Sequence, residues 1–102
     1  MPNYILAYHG GKMPESPEEG AKLMARWQSW IKSLGEANVD PGNPVGKSWT
    51  LSASGVVDNG GANPLSGYSL IKADNVEAAI GLAKGCPHVD TGTIEVAEVM
   101  EM

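Results

Sequence analysis

Phenylalanine is absent from this chain of 102 residues, so three tryptophans and three tyrosines carry all of its aromatic packing. A single cysteine, Cys86, excludes an intrachain disulfide. Basic residues are few: 7 lysines and arginines stand against 12 acidic residues, for a net charge of −5. They are scattered along the chain, which excludes the basic stripe of a nucleic-acid binder. An acidic surface also opposes anionic membranes. No apolar run approaches the ~20 residues of a membrane span. No basic stretch followed by an apolar segment opens the chain, so no signal peptide is expected and the cytoplasm is the expected location. GxGxxG, phosphate-loop, GxSxG and HExxH patterns are all missing, which disfavours nucleotide-dependent and serine-hydrolase chemistry.

What is present describes one domain over residues 1–102, with 42% hydrophobic and 19% charged residues. A chain of this size buries roughly two-thirds of the surface its unfolded form exposes. Asn3 to His9 is a short apolar run of strand formers. Tyr4, Leu6 and Tyr8 lie on one face and Ile5 and Ala7 on the other, as in a central strand covered on both sides. Gly10-Gly11 ends it. Ser16-Pro17-Glu18-Glu19 is a helix start, with Ser16 as cap, Pro17 at the first position and Glu19 closing a capping box. Leu23, Trp27, Trp30, Ile31 and Leu34 then recur at helical spacing, and Gly35 stops a helix of roughly 27 Å.

Asn38 to Gly46, with two prolines and two glycines, reads as a turn-rich crossing. Lys47 to Val57 reads as a second strand kinked at Gly55. Asp58 to Pro64 is a loop by composition, and Leu65 to Ala73 is a third strand. Asp74 caps a second helix whose apolar face is Val76, Ala79, Ile80 and Ala83, stopped by Gly85 and Pro87. Thr93 to Met100 is the last strand, with a phase shift at Ala97 and Val99 that a bulge or an edge position explains.

The resulting order is β-α-β-β-α-β, the ferredoxin-like pair of split βαβ units in an α+β protein. Right-handed crossovers place the first and last strands side by side and antiparallel, with two helices on one face of the antiparallel sheet. The other face needs a cover that the chain does not supply. A second copy is the simplest one, which predicts a homodimer packed sheet face to sheet face.

These features resemble the YCII-related family, including its DGPF group. The resemblance rests on Tyr4-Ile5-Leu6-Ala7-Tyr8, the capped helix from Ser16, Gly67-Tyr68-Ser69-Leu70-Ile71 with its acidic cap, Cys86-Pro87 and Gly92-Thr93-Ile94-Glu95-Val96. It covers nearly the whole chain. It implies a dimeric α/β barrel with a His/Asp pair as the family's active centre, and a few relatives resemble lyases or dehydrochlorinases acting on ring compounds. The chain departs from the family pattern twice. Glu19, Ala21 and Lys22 occupy the region where many members carry a helix histidine, and Asp58-Asn59-Gly60-Gly61 replaces the Asp-Gly-Pro-Phe signature.

The βαββαβ path brings His9, Asp58, His88 and Asp90 to one rim. His9 suits a general acid or base; it equally suits a strand end bonded to the Gly10-Gly11 turn. His88 is either a second acid/base group or an exposed loop residue. Asp58 either orients an imidazole or shapes its turn, and Asp90 caps its loop. Cys86 follows a helix C-terminus, which suits a buried structural thiol. Trp49 is expected in the core or at a dimer contact. No cofactor or metal is expected, because two histidines 79 positions apart carry no ligand spacing. Two functions fit: cofactor-free isomerase- or lyase-type acid/base chemistry on a small organic molecule, with His9 as base or acid and Asp58 and His88 assisting, or a non-enzymatic ligand-binding or interaction module.

Overall fold

The computed structural model describes residues 1–58 and 63–101. Among them the chain forms β1 (Asn3–Gly10), α1 (Pro17–Leu34), β2 (Asn38–Pro44), β3 (Trp49–Ser52), β4 (Gly55–Asp58), β5 (Leu65–Lys72), α2 (Val76–Ala83) and β6 (Gly92–Glu98). Short 3-10 turns follow α1 and precede β6, the second spanning Pro87–Asp90. Residues 59–62, most of the expected Asp58–Pro64 loop, lie outside the described residues.

β1 is an inner strand, paired on both edges. It runs antiparallel to β5 from Asn3↔Lys72 to His9↔Leu65, and antiparallel to β6 from Tyr4↔Glu98 to Gly10↔Gly92. β2 adds antiparallel to the far side of β5, so the sheet order is β2-β5-β1-β6. The protein is thus α+β, with an antiparallel four-stranded sheet and two helices among the described residues, compatible with a ferredoxin-like arrangement.

The second strand of this sheet is not Lys47–Val57. Asn38–Pro44, expected as an irregular crossing, takes that place, and Trp49–Ser52 with Gly55–Asp58 forms a separate two-stranded hairpin. The prolines explain the difference. A sheet-edge strand pairs on one side only, so Pro41 and Pro44 are tolerated there. Register slips between Asn38 and Asp40, and between Asp40 and Asn43, absorb the irregular backbone. Gly42 makes the fit possible: at φ 73° its N–H donates to Asp40 Oδ1 at 2.8 Å, and a side chain there would overlap the Tyr68 carbonyl. Gly55, at φ 138°, opens β4 after the hairpin turn and does not kink a continuous strand.

The first helix follows its sequence signals closely. Ser16 Oγ accepts from Glu19 N at 3.2 Å, while Glu19 reaches back to Glu15 N at 3.0 Å. Gly35, at φ 54°, closes the helix with its N–H on the Lys32 carbonyl. In α2 the cap is Asn75, one residue later than expected, its side chain accepting from Ala78 N at 2.8 Å. β6 pairs with β1 without a register shift and ends at Glu98, so its edge position accounts for the altered phase and no bulge is needed.

Tyr4, Leu6, Tyr8 and Ile71 project from one face of the sheet and pack beneath Trp30 and Leu34 of α1 and Ala79 and Ala83 of α2. Both helices therefore cover the same face. Each large side chain buried there contributes about 1.5–3 kcal/mol. Val76 and Ile80, expected on the buried face of α2, are exposed, because α2 meets the sheet through its alanines. Trp30 Nε1 donates to the Leu82 carbonyl at 2.9 Å and ties the helices together. Tyr8, Trp27 and Trp30 form successive edge-to-face contacts at 5.4 and 5.8 Å.

Register places Ile5, Ala7, Tyr68, Leu70 and Ala97 together on the opposite face. No described element of the chain lies over it, and the molecule is only 18 Å thick, the depth of one helix layer on one sheet.

Gly42→Ala is expected to destabilise the protein by about 3 kcal/mol or more, through strain and overlap with β5. Gly81→Ala, in open space on α2, is expected to stabilise it by about 0.5–1 kcal/mol. Urea unfolding of both variants checks the pair; a tolerated Gly42→Ala contradicts the edge-strand geometry.

Candidate functional site

The end of β1, the start of β5 and the start of β6 meet at one rim through His9↔Leu65 and Gly10↔Gly92. Here the chain doubles back on itself closely. His88, in the 3-10 turn just before β6, places Nε2 2.8 Å from the His9 backbone oxygen. A carbonyl only accepts, so Nε2 carries the proton, and in the neutral ring Nδ1 keeps its lone pair. Two glycines make room for this clasp. A side chain at Gly92 would overlap both His88 Nε2 and the His9 oxygen, and one at Gly11 would stand 2.9 Å from His88 Cε1. Tyr8 supports the ring from the core side, with centroids 5.2 Å apart.

The His9 side chain points to the opposite face of the sheet and is largely enclosed, at 13% exposure. Its Nδ1 lies 3.1 Å from the Asn63 backbone oxygen and its Nε2 lies 2.8 Å from Glu95 Oε1. Both oxygens accept only, so the doubly protonated ring alone donates to both. Glu95 is itself exposed, and with a protonated His9 the pair contributes at most about 1 kcal/mol.

Asp58 ends the hairpin, pairs across it with Trp49, and holds Lys47 Nζ at 2.8 Å. The oxygens that meet His9 belong to Asn63 and Glu95. Asp90 accepts from Arg26 Nη2 at 2.6 Å and pins the 3-10 turn to α1. Trp49, expected in the core or at a dimer contact, is not in the core: it is exposed on the hairpin, with Lys47 Nζ 5.1 Å from its ring centroid. Sequence reasoning missed Gly92 and Gly11 as the source of room for His88. It also missed Glu95, although Glu95 lies two residues beyond Thr93, the partner of His9, and so shares its face.

An open cleft of about 540 Å³ borders this rim, lined by Gly10, Gly11, Val45, Lys47, Ser48, Leu65 and Ser66, among others. The hydroxyls of Ser48 and Ser66 are buried and have no hydrogen-bond partner among the described residues. Leaving such a group unsatisfied costs about 1–3 kcal/mol.

Beneath the rim, Tyr8 Oη donates to Ser69 Oγ at 2.7 Å, and Ser69 Oγ donates to the Pro41 carbonyl at 2.7 Å. This ties β1 through β5 to the edge strand β2. Cys86 is buried against the same phenol, as expected of a structural thiol. Burial pushes the Tyr8 phenol well above its ordinary range, more than the Ser69 hydroxyl lowers it. Burial also raises the Cys86 thiol, with the His88 backbone amide and Tyr8 acting in the opposite sense. Among the described residues, no three His, Cys, Asp or Glu side chains cluster as metal ligands, and no helix is long and apolar enough to cross a membrane.

No family model and no curated protein matches this chain.

The raised phenol and thiol set a pH dependence. On unfolding they return to ordinary values of 10.0 and 9.0, so the unfolded chain loses these protons first. Their stabilising effect is complete below pH 9 and declines as pH rises, by up to about 1.4 kcal/mol per pH unit for each group. Unfolding free energy measured from pH 8 to 11 is expected to fall, and to fall less steeply for Tyr8→Phe; equal slopes contradict the assignment.

Proposed function

We propose that this chain is a YCII-like protein that works as a homodimer and performs cofactor-free acid/base chemistry, of isomerase or lyase type, on a small organic molecule. The bond from His88 Nε2 to the His9 carbonyl carries this reading. It orients the imidazole and puts the proton of the neutral form on Nε2, so that in that form Nδ1 can take a proton, which is what a general base requires. Gly11, against the ring, is also part of the cleft wall, so proton acceptor and cleft adjoin. Lys47 at the cleft suits a substrate bearing a carboxylate. In this reading His88 is the base, His9 positions it through its backbone, and Asp58 steadies Lys47.

The dimer reading is supported by surface area. The chain exposes 7002 Å² at a mass of 10.7 kDa, where a folded monomer of that mass exposes about 5,500 Å². The excess of about 1,500 Å² per chain matches what an obligate dimer buries. Packing the uncovered sheet faces together would complete a ferredoxin-like dimeric α/β barrel, and a reduced Cys86 suits a cytoplasmic protein.

A binding module without catalysis is the second reading. The unsatisfied Ser48 and Ser66 hydroxyls at the cleft favour it, because a polar ligand would satisfy them after a small rotation.

Solvent deuterium incorporation into a panel of small cyclic carboxylic and keto acids, followed by NMR, separates the two. At least one compound is expected to exchange. His88→Gln keeps an N–H toward His9 but has no basic nitrogen, and is expected to slow exchange about 100-fold or more while staying folded. Undiminished exchange in His88→Gln overturns the assignment of the base. Binding without any exchange favours the module.

A further inference from the structure

The β3–β4 hairpin stands apart from the four-stranded sheet and buries none of its strand residues. Its register sorts the side chains. Trp49, Leu51 and Val56 share one face with Asp58, while Thr50, Ser52 and Val57 lie on the other. The first face is apolar and open: Trp49 is 55% exposed, Leu51 74% and Val56 64%. An isolated two-stranded hairpin is marginal in water, and a protruding patch of this kind marks a contact surface.

We propose that this hairpin is an arm that lays its Trp49–Leu51–Val56 face on a second copy of the chain. The inference rests on the homodimer reading above and extends it. Area identifies the occupant. A four-stranded sheet of seven- and eight-residue strands measures about 25 by 19 Å, so its face offers about 500 Å² in plan. A face of that size is too small to account for all of the ~1,500 Å² excess by sheet-to-sheet packing alone. Among the described residues the hairpin is a second large uncovered apolar surface. Its reach agrees with an arm: the radius of gyration is 14.7 Å, against about 13 Å for a compact chain of this length. The arm joins β2, the edge strand, to β5. Two-fold symmetry would give each copy both an arm and the surface that receives one. The Lys47–Asp58 ion pair lies at its base.

Sedimentation equilibrium and amide hydrogen exchange on the full chain test this. The wild type is expected to be dimeric, with hairpin amides protected in the dimer and unprotected after dilution to monomer. Leu51→Asp with Val56→Asp is expected to stay folded and to weaken dimerisation about 100-fold, the loss that two buried apolar anchors imply. Leu70→Asp, on the open sheet face, probes the underlying dimer separately. If Leu70→Asp dissociates the dimer, the hairpin variant does not, and the hairpin amides exchange freely throughout, the arm is overturned and the sheet-face dimer stands. If the wild type is monomeric at about 100 µM, both readings fall.

Discussion

The rim of this protein depends on one close approach, the 2.8 Å bond from the His88 ring to the His9 backbone. It spans 79 positions in the chain and joins the exit of β1 to the entrance of β6. Gly10 and Gly92 pair at that point, and only residues without side chains allow the imidazole to sit between the turn and the strand. The same contact fixes which nitrogen of His88 carries its proton. Fold and candidate chemistry therefore share one physical constraint, the missing Cβ atoms at Gly92 and Gly11.

Below the rim, the relay from Tyr8 through Ser69 to the Pro41 carbonyl does for the sheet what the clasp does for the loop. It satisfies a phenol and a hydroxyl inside the core, where unmet polar groups are costly. It also joins β1 to an edge strand whose backbone is too irregular for an unbroken ladder. The helices lie on that same face, so the described residues form two layers, and none of them covers the other face of the sheet.

Much of the architecture was legible in the sequence because it was locally encoded. The Ser16 cap, the period of Trp27, Trp30 and Leu34 and the Gly35 stop define α1, and the apolar residues on both faces of Asn3–His9 mark an inner strand. The second strand was not legible, because Pro41, Gly42 and Pro44 carry the composition of a loop. Only the tertiary fit of Gly42 against Tyr68 makes them an edge strand. Topology brought His9 and His88 to a common rim. Their separate environments, one ring on each face of the sheet, depended on glycine room and on Glu95 and Asn63, which no local pattern announces.

The tautomer of His88 is the most direct test of this account. Long-range ¹H–¹⁵N correlation spectra of the neutral imidazole should show a proton on Nε2 and an unprotonated Nδ1. Gly92→Ala should abolish that preference by displacing the ring. A His88 protonated at Nδ1 in the wild type, or a spectrum unchanged by Gly92→Ala, would contradict the clasp and the role proposed for it.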